Sequence, residues 1–124
     1  MSDWILRVLV AAGLLGSAWV HLVVWFDWAG DTDVIGPLFL VNLVAGVVIA
    51  VAVLIWRHWL PVLAAVGFGA ATLLAYWLSV TVGLFGVQEQ FATSEEVWGV
   101  ITEAGCIVFS AALLAARSRR RAAV

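Results

Sequence analysis

Residues 34–56 read VIGPLFLVNLVAGVVIAVAVLIW, an apolar run in which Asn42 is the one polar side chain. A helix needs about 20 mostly apolar residues to cross the hydrocarbon core of a bilayer. A strand of a membrane barrel would alternate apolar and polar residues over about ten positions, and this run does not alternate. It reads as a membrane-spanning helix. Comparable runs lie at about 4–26, 60–85 and 97–116. The expected fold is therefore an all-α integral membrane four-helix bundle with up-down topology and short loops. It forms a single domain over 1–124 that ends in a basic tail at 117–124.

Composition agrees. Hydrophobic residues make up 65% of the chain and charged residues 11%, with a mean hydropathy of +1.13. Soluble domains carry roughly 45–50% apolar and about 25% charged residues, and disordered chains are poorer still in apolar residues. One cysteine, Cys106, excludes an intramolecular disulfide and a cysteine metal cluster, and it reads as a small buried residue. A signal peptide is the alternative for the N-terminus, with Arg7 as its charged region and Gly16-Ser17-Ala18 as its cleavage site. The apolar run continues past these residues to Phe26, which is spanning length, so an uncleaved first helix is expected.

The charges sort by side. Arg7, Arg57, Arg117, Arg119, Arg120 and Arg121 fall with Asp3 on one face of a four-span plan and sum to +5. Asp27, Asp31, Asp33, Glu89, Glu95 and Glu96 fall on the other and sum to −6, while Glu103 lies within a span and completes the net −2. Arginine marks the cytoplasmic side of short loops, so both termini are expected to be cytoplasmic and both acidic loops to face outward. The Arg117, Arg119, Arg120 and Arg121 cluster reads as an anchor to anionic lipid, and nothing in the chain supports nucleic-acid binding. Arginine without lysine, beside abundant Ala, Val and Gly, suggests a GC-rich bacterial genome and hence the bacterial inner (plasma) membrane.

Local signals mark the helix ends. Gly36-Pro37 and Trp59-Leu60-Pro61 put proline in a first turn, where its missing N–H is not needed. Thr93 and Glu96 have capping-box spacing before the fourth run. Trp4, Trp56 and Trp59 fall near the inner boundary, and Trp25, Trp28 and Trp98 near the outer one, as interfacial indoles do. Trp19 and Trp77 fall deeper and are expected to pack the core.

Each span carries a polar or small-residue stripe at helical spacing: Gly13, Ser17 and His21; Asn42, Gly46 and Ala50; Thr72, Tyr76, Ser79 and Gly83; Gly99, Glu103, Cys106 and Ser110. Gly13, Ser17, Gly46, Gly99 and Ser110 read as helix packing, since small residues let membrane helices approach and hydroxyls bond across them. Glu103 and His21 resist that reading, because a charged carboxylate within a span costs about 2.5–3.5 kcal/mol or more. At a rise of about 1.5 Å per residue, Glu103 lies roughly 10 Å below Glu96, His21 roughly 9 Å below Asp27 and Asn42 roughly 13 Å below Asp33. The most polar members thus share a depth in the outer half of the bilayer.

His21, Asn42 and Glu103, with Tyr76 and Ser79, are therefore the candidate lining of an outward-opening polar pocket. Such a pocket would bind or translocate a small ligand, an ion or a lipid headgroup. The other reading is a non-catalytic accessory or scaffold subunit of a larger membrane complex, whose stripe only packs helices; association with such a complex would favour it, and a lone homo-oligomer would weaken it. No catalytic residue and no cofactor can be named. The acidic residues and His21 offer metal donors without the defined His or Cys set that a transition metal takes. His21 and His58 fall at opposite membrane faces, so one haem cannot bridge them.

Four spans in this length is also the plan of small multidrug transporters, but their working glutamate lies in the first helix. Here the first helix has no acidic residue past Asp3. Ile35-Gly36-Pro37-Leu38-Phe39-Leu40 and Gly83-Leu84-Phe85-Gly86-Val87-Gln88-Glu89 resemble stretches of four-span membrane proteins of high-GC actinobacteria. That resemblance implies location and topology and brings no activity with it.

Overall fold

The computed structural model describes residues 3–83 and 94–123, with the side chains of 94–96 and 123 left aside. Helix α1 (Asp3–Asp27) leads through a short 3-10 turn (Ala29–Asp31) into α2 (Ile35–Ile55). After a tight connection come α3 (Trp59–Thr81) and α4 (Ser94–Ala123). All four contain a stretch long and apolar enough to cross a membrane, α4 over Val97–Ala122. Each helix packs beside its neighbours in sequence, and α4 closes the ring against α1. The α1–α4 and α1–α2 seams are close, and the α2–α3 seam is the loosest.

Local chemistry explains the helix ends. At the start of α3, His58 Nδ1 accepts the Leu60 N–H at 3.2 Å, with its ring stacked on Trp56 at 5.1 Å between centroids. This imidazole does the work of an N-cap side chain for an orphan donor. His58→Ala should cost about 1 kcal/mol in detergent thermal unfolding, while His58→Asn, which can accept from the same N–H, should retain most of the stability. At the other end of this connection, the last carbonyls of α2 have no partner within their own helix. Arg7 of α1 reaches them, its Nη1 donating to Val53 O at 2.8 Å and to Trp56 O at 3.5 Å.

The third helix ends sooner than the apolar run suggests, at Thr81 rather than Phe85. Gly83 takes a positive φ of 86°, and its N–H returns to Leu78 O at 2.8 Å, which favours glycine there. Glu89 and Thr93 lie outside the described residues, as do the side chains of Glu95 and Glu96.

The filled core occupies one half of the bundle. Val10, Ala11, Leu14, Ala50, Val53, Ala65 and Cys106 form a fully buried cluster, continued toward the termini by Leu6, Val62 and Leu113. Cys106 is buried as expected, its Sγ–H directed to Ala65 O at 3.3 Å. Glycine sets the α1–α4 separation. A Cβ on Gly13 would lie 2.9 Å from Thr102 O and 3.2 Å from Cys106 N, both backbone atoms.

Trp19 and Trp77 correct the sequence reading. They do not pack the core: they lie outside, 66% and 63% exposed. In hydrocarbon the outer surface is as apolar as the interior, so an indole loses nothing by facing outward.

Candidate functional site

The other half of the bundle, nearer the 28–34 connection, is not filled. It holds a half-open cavity of about 390 Å³, with walls drawn from all four helices. His21, Asn42, Tyr76, Ser79 and Glu103, singled out from the sequence, all line it. The rest of the wall is largely apolar, including Phe39, Phe68 and Val100. Aromatic rings stand together in this wall: Phe39 lies 4.8 Å from the His21 ring and 6.1 Å from Trp28.

Three backbone placements produce this arrangement. His21 stands one turn above Ser17 on α1. Its Nδ1 lies 2.8 Å from Ser17 O, and a carbonyl can only accept, so Nδ1 carries the proton. In the neutral ring Nε2 is then an acceptor, with no protein partner among the described residues. Across the close α1–α4 seam, the buried Ser17 hydroxyl donates to Glu103 Oε1 at 3.1 Å. Glu103 is 3% exposed and has no cationic partner among the described residues.

On the facing wall, Thr72 Oγ1 donates its one proton to Phe68 O at 2.7 Å. It must therefore accept from Asn42 Nδ2, 2.9 Å away, which fixes the amide's orientation. Asn42 Oδ1 is left as a buried acceptor with no partner among the described residues. Ser79 spends its hydroxyl locally, donating to Tyr76 O at 2.7 Å.

His21 and Glu103 thus share the cavity without a direct hydrogen bond, and Ser17 stands between them. From the sequence, Ser17 falls with the packing residues. It does bond across helices, but its partner is the one carboxyl group within a span. Thr72 shares the polar stripe without standing among the candidate lining residues, yet it orients Asn42. Their spacing was the available signal: Ser17 precedes His21 by four residues, and Thr72 precedes Tyr76 by four.

Chemically the polar wall is rich in acceptors. His21 Nε2, Asn42 Oδ1 and an ionised Glu103 accept and do not donate. Among the described residues no three His, Cys, Asp or Glu side chains converge as a metal site. Comparison with protein-family models, with curated proteins and with solved structures finds no match.

Proposed function

We propose that this small multi-pass membrane protein binds an amphiphilic small molecule taken from the bilayer, one with an apolar body and a hydrogen-bond-donating head such as an amine. The cavity carries the reading. It falls in the size range of small-molecule pockets, about 300–1,000 Å³, and it sets an acceptor-rich patch in an otherwise apolar chamber. An ammonium head would supply the positive partner that Glu103 lacks among the described residues and would meet the acceptors of His21 and Asn42.

The route of entry has support as well. Leu38 and Val41 on α2 and Ala71 on α3 both line the cavity and are exposed. They put a side opening at the loosest seam of the bundle, where lipid tails would lie. With arginine marking the inner side, we place both termini in the cytoplasm and the cavity in the outer half of a bacterial inner membrane.

The test uses dodecylamine and dodecanoate, which share a tail and differ in head charge. In native mass spectrometry the protein should retain dodecylamine about tenfold more tightly than dodecanoate, a step of about 1.4 kcal/mol. Glu103→Gln keeps an acceptor for the Ser17 hydroxyl, so it should fold normally and lose that preference. Ala75→Phe, on the cavity wall, should block both ligands. Equal retention by the protein and by Ala75→Phe would refute the reading. Stoichiometric recovery within a larger complex in mild detergent, with an empty cavity, would favour the accessory-subunit role instead.

A further inference from the structure

We infer that the opposite end of the bundle holds a second site, a recess that binds the phosphate group of an acidic phospholipid in the adjoining leaflet. The recess measures about 420 Å³ and is lined by Asp3, Arg7, Arg57, Arg117, Arg120 and Arg121. These residues come from the start of α1, the α2–α3 connection and the end of α4. Five arginines against one carboxylate give the lining a charge of +4.

Internal pairing does not absorb that charge. Asp3 pairs with Arg120, and among the described residues Arg7, Arg57, Arg117 and Arg121 have no carboxylate partner. Arg117 Nη1 donates to Arg57 O at 3.1 Å, which ties the end of α4 to the connection. Arg7 is the most telling of the group. It is only 3% exposed, and its Nε is buried with no partner among the described residues. Buried charges are normally paired, and here the missing partner is an anion.

Geometry favours phosphate. Guanidinium groups bind phosphate oxygens bidentately. Asp3 and Arg57 stand at the ends of spans, level with headgroups, and Arg7 lies about 6 Å deeper by helical rise. Trp4, Trp56 and Trp59 lie at the same end, all exposed, as indoles at the headgroup boundary do. A diffuse basic tail would attract anionic lipid through every arginine alike. The recess instead recruits Arg7 and Arg57 from outside the tail and leaves out Arg119.

That difference is the test. Binding is measured in detergent by native mass spectrometry, with phosphatidylglycerol in one arm and inorganic phosphate in the other. Arg7→Gln could disturb the end of α2, so Arg57→Gln is the primary variant, because the bond at Arg57 uses its backbone carbonyl. The protein should bind one phosphatidylglycerol saturably. Arg57→Gln should weaken it about tenfold, and Arg119→Gln should leave it nearly unchanged. Tighter binding of phosphatidylglycerol than of phosphate supports the lipid source. Tighter binding of inorganic phosphate, again lost in Arg57→Gln, overturns the lipid source and keeps the phosphate site. Equal losses in Arg57→Gln and Arg119→Gln, or no saturable binding in either arm, overturns the site.

Discussion

Gly13→Ala is expected to destabilise the bundle by about 1–3 kcal/mol, whereas Gly67→Ala is expected to be neutral or to stabilise it by about 0.5–1 kcal/mol. The two substitutions add the same methyl group to a glycine inside a helix. At Gly13 the new Cβ meets Thr102 O at 2.9 Å and Cys106 N at 3.2 Å. Backbone cannot rotate away as a side-chain tip can, so α1 and α4 must separate. At Gly67 a Cβ finds nothing within 4 Å, and the gain in helix propensity goes unopposed. Unfolding in mixed micelles reads both effects. The separation should also weaken the bond from Ser17 to Glu103, which crosses the same seam at 3.1 Å. A fall in dodecylamine retention by folded Gly13→Ala would report that second effect. Equal stability changes in the two variants would show that the α1–α4 seam is not glycine-limited.

Ser17→Ala is the second large effect, with an expected cost of about 1–3 kcal/mol. The variant removes a hydroxyl and leaves Glu103 Oε1 without its donor, in a group only 3% exposed. An unsatisfied buried polar atom costs more than the net value of the bond it had made. Replacing both partners should therefore be cheaper than replacing one. Ser17→Ala combined with Glu103→Met should recover a substantial part of the loss, with a coupling of about 0.5–3 kcal/mol in the double-mutant cycle. Additivity in that cycle would mean that the hydroxyl and the carboxyl do not interact in the folded protein. The cycle measures stability and so stands apart from the ligand experiment. A strong coupling alongside failed dodecylamine binding would leave the pair as a tie between α1 and α4.

Much of the arrangement is legible in the sequence. Hydrocarbon accepts only apolar helices and closed barrels, and these runs do not alternate as barrel strands do, so 34–56 and its companions announce themselves within about 20 residues each. The polar stripe was also legible, because residues three and four apart share a helix face. His21, Asn42, Tyr76, Ser79 and Glu103 were named on that basis, and they line one cavity. Trp19 and Trp77 were misplaced for a reason that applies to any membrane bundle. In water an indole's position can be argued from burial, but in lipid both sides of a helix are apolar and composition no longer tells inside from outside.

What the chain states locally is therefore span, helix end and stripe, because each is a match between a short segment and its solvent. Which stripes meet is not a local property. Ser17 and Glu103 are 86 residues apart, and their contact depends on how far α1 and α4 close, which Gly13 limits through backbone atoms of another helix. The same holds for Arg7, whose burial against the end of α2 turns an ordinary positive charge near the N-terminus into a cation with no carboxylate partner among the described residues. The division into a filled half and a hollow half is likewise a result of packing. Apolar volume was present in every span, and only the tertiary arrangement decided where it would be too little to close the space.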